Sequence, residues 1–447
     1  MQALYDRLVG IRTVTVTVAS LSVLTSSAWA NGINRNGTDA ASMAMGGTDV
    51  AWARSPLQAM GDNPAGLGFL SQNEFDLGGV AALAQGKFSS ASGSSGDLSD
   101  SPGEMGEGAL GIPLGNSPIT IGISCIPDSM LLANWSYMDP AGGLGGVSYG
   151  NQTDKSEILV LRSAAGIGLK LSSQLSVGLS IGGIYNKNEL ITPYIFQNLQ
   201  PPGPNGAKTL LDLHTSGFGW NAQIGILYRP LTNLQFGLSY QNKYTVASYG
   251  DATGDAYAQF PPTPPGVLAF HYQAEVDNTF PDQVSLGGSW QFLPDWRVAA
   301  QVDWIDWANA FNTLPVKLSN GSNPAVNGVV GSTFSDYIPL NWKSEFVYRV
   351  GLEYDPTENL ALRAGYCYGH SPVPSATLTP MTAAILENTV TLGVGYRWKA
   401  CAIDVAYQCD LPQKENVGTS SLLSGEYSNS STDVYVHWVA VTLGVNF

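Results

Sequence analysis

Residues that commonly carry enzyme chemistry are few in this chain and widely separated. The four histidines lack the spacing of metal ligands: His214, His271, His370 and His437. His370 and Ser371 are adjacent, and neighbours on a strand point to opposite faces, so they form a poor catalytic dyad. No G-x-S-x-G motif is present. We therefore predict no enzymatic activity, no catalytic or metal-binding residue and no cofactor.

Four arginines fall on the polar faces of segments that alternate in polarity, and they would face one interior: Arg297, Arg349, Arg363 and Arg397. A guanidinium is a good partner for a carboxylate, so these side chains could hold the anionic head group of a ligand. Pairing with inward acids such as Asp303, Glu353 and Asp404 is the commoner case and stays open as the alternative.

The segments that must position these arginines read as amphipathic β-strands of about ten residues. In CAIDVAYQCD, alternate residues from Cys401 to Cys409 are apolar, whereas the residues between them include Asp404 and Gln408. NTVTLGVGYRWK repeats the pattern, with Tyr396 and Trp398 at the end of its apolar face. A soluble β-sandwich also alternates, but its outward face carries more charge. Apolar faces that end in aromatic residues are typical of transmembrane β-barrels.

The composition agrees with a barrel in a membrane. Only 12% of the 447 residues are charged, about half of the usual fraction, and no apolar stretch reaches the roughly 18 residues of a spanning helix. Residues 1–30 read as a signal peptide, with basic residues, an apolar core and a cleavage site at Ala28-Trp29-Ala30. The net charge of −15 argues against nucleic acid as a partner.

The connections alternate in length, as they do in outer-membrane barrels, whose short turns face the periplasm. We predict an all-β, fourteen-stranded antiparallel transmembrane barrel over residues 74–447, with a kink or bulge at Pro281. The strands are expected near 74–88, 109–115, 118–127, 156–171, 175–190, 214–229, 234–250, 267–292, 296–307, 344–355, 360–370, 388–398, 401–410 and 432–447.

Three stretches give the chain a resemblance to the long-chain fatty-acid transporter (FadL-type) family of outer-membrane channels. They are ASMAMGGTDVAWARSPLQAMGDNPAGL, PDQVSLGGSWQFLPDWRVAAQVDWIDW and NWKSEFVYRVGLEYDPTENLALRAGYCYGHSPVP, the last followed by TVTLGVGYRW. The resemblance implies that residues 31–73 form a hatch that plugs the lumen. It also implies passive uptake of hydrophobic molecules, which leave sideways through a gap beside an inward kink of the third strand.

Several residues acquire expected roles from this resemblance. Asn63, Pro64, Ala65 and Gly66 would form a rigid hatch turn close to the exit, with a plain turn from plug into strand as the alternative. Gly122 is the candidate for the kink in the third strand, although an ordinary strand glycine is the commoner case. Loop 128–155 would catch ligand through Leu131, Leu132 and Trp135, although a helix packed on the barrel rim fits that apolar stretch equally well.

The resemblance implies long-chain fatty acids as the expected cargo. The physics suits a hydrophobic cargo, because each CH₂ gains roughly 0.8 kcal/mol on leaving water. The alternatives are an aromatic hydrocarbon and a barrel that acts as an assembly or secretion partner without transport. We also expect the lipid bilayer as surroundings, a monomer, and delivery by the outer-membrane assembly machinery through the terminal Phe447. Phe447 as a plain strand end is the alternative to that last expectation.

Overall fold

The computed structural model describes residues 32–99, 103–199, 206–257 and 267–447, so the predicted signal peptide lies outside the described residues. Among the described residues, no helix has both the length and the apolar character needed to cross a membrane.

The chain forms a closed antiparallel β-barrel of fourteen strands, as predicted. Its nineteen strand segments are β1 (Glu74–Ser89), β2 (Ser95–Leu98), β3 (Gly103–Pro113), β4 (Ile119–Met138), β5 (Asn151–Lys170), β6 (Leu175–Ile195), β7 (Lys208–Leu231), β8 (Leu234–Gln241), β9 (Tyr244–Tyr257), β10 (Val267–Phe280), β11 (Gln283–Leu293), β12 (Trp296–Ile305), β13 (Thr313–Ser319), β14 (Phe334–Pro339), β15 (Glu345–Thr357), β16 (Leu360–Tyr368), β17 (Asn388–Trp398), β18 (Cys401–Asn416) and β19 (Ser431–Asn446).

Three barrel strands are each built from two segments, which accounts for the difference between nineteen and fourteen. β2 with β3, β8 with β9 and β10 with β11 each make one crossing, whereas β13 and β14 form a separate hairpin on β10. The interruption between β10 and β11 falls at Pro281, where the missing N–H cannot join a ladder. β1 pairs with β19 along its whole length and closes the barrel.

Side chains alternate between the two faces of the wall. In β17, Leu392 is 61% exposed on the outer face, whereas Thr391 is 2% exposed on the inner face. An apolar outer face with a polar inner face is the pattern of a barrel whose outside lies in a bilayer. We call the end with the long connections the loop end, and the end with the short turns the turn end.

Residues 32–73, the described part of the predicted hatch, lie inside the barrel. They form helices α1 (Ala40–Ala44) and α2 (Pro56–Gly61) and a 3₁₀ turn over Pro64–Phe69. The side chains of Asp39, Ser55 and Asn63 cap these three elements by accepting backbone N–H groups. Such short helices gain little from their own hydrogen bonds, so packing against the wall must supply most of their stability.

The wall meets the hatch through glycines. At eleven inward-facing positions, an added Cβ would come within 3.0 Å of a hatch atom. We call this set the glycine collar: Gly111, Gly122, Gly166, Gly168, Gly178, Gly225, Gly237, Gly287, Gly351, Gly365 and Gly393. Without a side chain, the strand backbone can approach the hatch backbone directly, so the lumen is filled by a short segment.

The structure corrects the predicted third barrel strand. That strand is β4, and it continues to Met138, eleven residues beyond the predicted end at residue 127. Its ladder with β5 is regular at Gly122 and shifts between Pro127 and Ser129. The register therefore shows a β-bulge at Asp128 and a regular ladder at Gly122, the predicted position of the kink. The extra residue of a bulge bends the strand and increases its twist.

Candidate ligand cavity and wall opening

A cavity of about 420 Å³ lies between the hatch and the loop end of the barrel. This volume is within the range of small-molecule sites. Most of its lining is apolar, and the apolar side chains are Ile33, Met43, Ala82, Ala84, Leu98, Met130, Leu131, Leu132, Ala133, Trp135, Ala383, Ala384, Leu386, Val434, Val436 and Trp438.

The roof of the cavity is the connection between β16 and β17, residues 369–387, which we call the lid loop. Leu378 and Ile385 of the lid loop are 1% and 0% exposed. The indole N–H of Trp135 donates to the carbonyl oxygen of Pro380 over 3.0 Å, and the Thr377 hydroxyl donates to the Leu340 carbonyl oxygen over 2.7 Å. These bonds hold the lid loop against the wall.

β4 leaves its neighbour β3 at the bulge. The ladder between these strands runs from Gly108↔Cys125 to Pro113↔Thr120, and no described residue of β3 before Gly108 pairs with β4. Beyond the bulge, the Met130 N–H donates to the Ile33 carbonyl oxygen over 3.1 Å. Among the described residues, β4 pairs with this barrel strand again only at β2, where Leu98 lies opposite Trp135. The bent strand therefore exchanges a wall partner for a hatch partner over part of its length, which leaves an opening in the described ladder.

The cavity reaches both faces of β4 beside this opening. Leu131 and Trp135 line it on the inner face, together with the neighbouring Ala133. Leu132 lines it from the outer face and pairs across the ladder with Glu157, which also lines the cavity. The cavity is thus lined by residues of both the inner and the outer face of β4.

This geometry changes the setting of Leu131, Leu132 and Trp135. They belong to a strand of the wall, not to an external loop, because Asp128 continues the strand through a bulge where the sequence suggests a turn. Their expected part in ligand contact remains a proposal, now at the cavity wall.

The cations at the cavity already have acidic partners. Arg35 forms an ion pair with Glu107 of β3, and both side chains are buried. Lys155 Nζ lies 2.6 Å from a carboxylate oxygen of Glu189 and 3.6 Å from one of Glu157. A carboxylate ligand would have to compete with these acids.

The four arginines predicted to hold a head group do not line this cavity. Arg349 donates to Asp303 over 2.6 Å, and Arg363 donates to Glu353 over 2.7 Å. These two pairs are the acidic alternative that the sequence left open.

The other two predicted arginines lie at the turn end. Arg297 stacks on the hatch residue Trp52, with its guanidinium carbon 3.3 Å from the ring centroid. Arg397 lines an opening there together with Arg54. Neither position brings the guanidinium to a ligand in the cavity above the hatch.

The hatch turn predicted close to the exit lies elsewhere. Asn63 is fully buried and donates to the carbonyl oxygens of Val50 over 2.7 Å and of Ile226 over 3.2 Å. The turn that follows it packs mainly on β5, β6 and β7, whereas the opening lies between β3 and β4. Asn63, Pro64, Ala65 and Gly66 therefore seat the hatch, and their role in gating remains a proposal.

Sequence reasoning did not identify the lid loop or Trp438 as parts of the cavity. The signal that could have found the loop is the apolar run MTAAIL within a Pro-rich connection, since a solvated loop rarely carries one. Trp438 is fixed by Asp410, which accepts its indole N–H over 2.6 Å. That contact joins two strands and leaves no local trace in the sequence.

Residues 21–447 match the family described as outer membrane protein transport protein (OMPP1/FadL/TodX). No protein of curated function matches the sequence.

Solved structures of outer-membrane transporters share the fold. The Pseudomonas putida toluene transporter TodX is 21% identical, with a TM-score of 0.73, over 92% of this chain and 99% of that one. A Pseudomonas aeruginosa FadL homologue is 15% identical, with a TM-score of 0.72, over 93% and 100% of the two chains. The Ralstonia pickettii toluene transporter TbuX is 20% identical, with a TM-score of 0.70, over 92% and 99%.

Proposed function

Because the chain belongs to the OMPP1/FadL/TodX family of outer-membrane transport proteins, we propose that it is a passive channel that releases hydrophobic compounds sideways into the bilayer. One observation supports lateral release. Residues from both faces of β4 line the cavity at the place where that strand leaves β3. An apolar molecule that follows this path does not return to water.

The route proceeds in three stages. Cargo passes the lid loop at the loop end, binds among the apolar side chains above the hatch, and leaves between β3 and β4. The hatch closes the direct path through the lumen, so free diffusion of polar solutes is not the function. A cavity continuous with the wall opening also favours transport over a role as an assembly or secretion partner.

The cargo is an uncharged hydrophobic molecule in this proposal, with long-chain fatty acids as the second candidate. The paired state of Arg35 and Lys155 favours the uncharged class, since a carboxylate would enter beside Glu157 without a free cation. Two of the similar structures are toluene transporters. A fatty acid fits the apolar lining equally well through its chain.

The wall opening is tested by removing Asp128. Deletion of this bulge residue lets β4 continue in regular register, so it can pair with β3 beyond Gly108. Initial uptake of radiolabelled toluene and oleate is measured in cells that lack their own transporter and express the variant. We expect uptake of the transported cargo to fall at least tenfold.

Asp128→Asn is the matched control, because it keeps the bulge and is expected to transport normally. Heat-dependent mobility in gels verifies that both barrels fold. Full uptake through a folded deletion variant would contradict lateral release at this site. Absence of uptake of either compound by the unaltered chain would remove both cargo candidates and favour the partner role.

Association with the assembly machinery and the monomeric state stay predictions. The main-chain N–H of Phe447 donates to the carbonyl oxygen of Asn73 over 2.9 Å, so this residue also fastens the end of β19 to the start of β1. A Phe447→Ala variant tests delivery through the amount of folded barrel in the outer membrane.

A further inference from the structure

A second, smaller cavity lies behind the kink of β4, between the hatch and the wall. Its volume is about 80 Å³ and its lining is mainly polar. We call it the side cavity, and its residues are Asn34, Arg35, Gly37, Thr38, Gly61, Asp62, Ile126, Pro127, Asp128, Ser129, Gln223, Ser239, Gln241, Phe280, Pro281, Gln283 and Ser285.

The side cavity adjoins the ligand cavity. Asn34 and Arg35 line both of them, so these two residues form the partition. Asn34 accepts the Ser129 hydroxyl over 3.0 Å, but its amide reaches Gln283 only over 3.4 Å. The 3.4 Å contact with Gln283 is long for a hydrogen bond and therefore weak. Rotation of the Asn34 side-chain amide away from Gln283 would join the two spaces.

Gln223 presents an unused acceptor to the side cavity. The residue is 4% exposed, and its amide nitrogen donates to the carbonyl oxygens of Gly61 over 3.1 Å and of Asp62 over 2.8 Å. Its carbonyl oxygen Oε1 has no hydrogen-bond partner among the described residues. A buried acceptor without a donor costs roughly 1–3 kcal/mol, so a hydroxyl that binds here recovers much of that penalty.

The charges around the side cavity select the kind of donor. Asp62 and Asp128 both line it, and Arg35 is engaged by Glu107. A carboxylate head group would therefore meet two acids and could not donate to Gln223. An ammonium group would lose its hydration in a cavity of this size, and both acids already accept a side-chain hydroxyl, Asp62 from Thr38 and Asp128 from Tyr244. A neutral hydroxyl avoids both costs.

We propose that the side cavity receives the hydroxyl group of an uncharged hydroxylated hydrocarbon, such as a long-chain alcohol or an alkylphenol, whose apolar part occupies the ligand cavity. This inference rests on the proposed transport function and names its substrate class. Gln223 Oε1 accepts the hydroxyl proton, and Asn34 moves to admit the group. The kink of β4 then has two consequences, since it opens the wall on one side and shapes the side cavity on the other.

The test compares three cargoes with the same chain: radiolabelled 1-dodecanol, dodecane and dodecanoate. Initial uptake is measured in cells that express the full chain or Gln223→Met, which preserves side-chain length. The substitution removes the acceptor and also the amide donor to Gly61 and Asp62, so the dodecane ratio reports any loosening of the hatch. For each cargo, the initial uptake rate through the variant is divided by the rate through the unaltered protein. Differences in membrane partitioning between the cargoes then cancel. We expect the dodecanol ratio to fall roughly three- to tenfold, with the dodecane ratio near one.

Gln235→Met is the matched control, because Gln235 is also a buried glutamine of the wall but lines neither cavity. For Gln235→Met, the uptake ratios of all three cargoes are expected to be near one. Equal losses for dodecanol and dodecane in Gln223→Met, or no loss for either, would overturn the proposal.

A second measurement does not depend on how the variant folds. In the purified unaltered barrel, dodecanol should displace a bound fluorescent hydrocarbon at lower concentration than dodecane or dodecanoate does. Stronger displacement by dodecanoate would reject the hydroxyl assignment while leaving transport intact. A chain that carries none of the three cargoes would fail as a channel, which is a distinguishable result.

Discussion

Arg35 of the hatch and Glu107 of β3 form a buried ion pair at the border of the wall opening. Glu107 is the last residue of β3 before the ladder with β4 begins at Gly108. The guanidinium of Arg35 also donates to the Thr38 carbonyl oxygen over 2.9 Å. The pair therefore ties the start of the hatch to the wall at the place where the wall lacks a strand partner.

Glu107→Gln should loosen this connection, because it leaves the Arg35 charge buried without its carboxylate. Breaking a buried pair from one side typically costs about 3–5 kcal/mol. We expect a lower thermal midpoint of the purified barrel and faster proteolysis between residues 32 and 39. Glu104→Gln, an exposed position of the same strand, is the control and should change neither. An unchanged midpoint in Glu107→Gln would show that the pair does not hold the hatch.

Gly178→Ala should displace the hatch, because the new Cβ would lie under 3.0 Å from backbone atoms of Pro64 and Ala65. Backbone cannot rotate away as a side chain can, so the hatch must shift or the strand must bend. We expect increased sensitivity of cells to large hydrophilic antibiotics, which the closed lumen excludes.

Gly183→Ala in the same strand is the control for that substitution. The nearest atom to its Cβ would lie 3.8 Å away, which is ordinary contact. Equal antibiotic sensitivity in the two variants would contradict the view that the collar seats the hatch.

Trp135→Phe should free the lid loop, because the ring remains but the hydrogen bond from its indole N–H to Pro380 is lost. A hydrogen bond of this kind contributes about 1 kcal/mol, so the population of open lid should rise roughly fivefold. Hydrogen exchange of the lid loop measures the change directly. Trp342→Phe removes another buried indole outside the cavity lining and should leave exchange in that loop unaltered. Identical exchange in Trp135→Phe would remove Trp135 as the anchor.

The loop end should open as the pH rises. Lys208 is fully buried and binds Asp139 and Glu426, each over 2.7 Å. These contacts join the connections after β4 and after β18. Burial, with nearby Asp139 and Asp154, raises the pKa of Glu426 to about 7, although Lys208 opposes the rise.

The direction of this pH dependence follows from the binding of the Glu426 proton in the closed and open arrangements. The closed arrangement holds the Glu426 proton more tightly than an open, solvated one, whose pKa is near the ordinary 4.5. Closing is therefore most favoured below pH 4.5. Between about pH 4.5 and 7 the open fraction rises, by at most about tenfold per pH unit. Limited proteolysis of residues 417–430 across this range checks the trend, and Glu426→Gln should flatten it. Cleavage that slows with rising pH would contradict this assignment.

The sequence predicts the barrel well because strand alternation and turn length are local properties. It predicts the kink poorly for a physical reason. Pro127, Asp128 and Ser129 have the chemistry of a turn, and a β-bulge uses the same residue types. The sequence alone cannot show that Ile33 replaces a residue of β3 as partner of Met130, since that contact spans nearly a hundred positions.

The positions of the arginines were predicted only in part from the alternation of the strands. Alternation correctly indicates that Arg349 and Arg363 face the lumen, where both are buried. It carries no information on their height along the barrel axis, which depends on the stagger of all fourteen strands. They consequently lie around the hatch and not beside the cavity. The side cavity could not be predicted for the same reason, because its lining comes from the hatch and from five strand segments that belong to four strands of the barrel.

The glycine collar also constrains which hatch and barrel sequences can be combined, both in protein engineering and in evolution. A hatch transplanted from a relative would fit this barrel only if its backbone followed the same path past the eleven collar positions. Chimeras should therefore succeed when hatch and wall are exchanged together and fail when they are exchanged separately. Lineages that drift in one part must compensate in the other, so cargo preference can diversify more freely through the lid loop than through the plug.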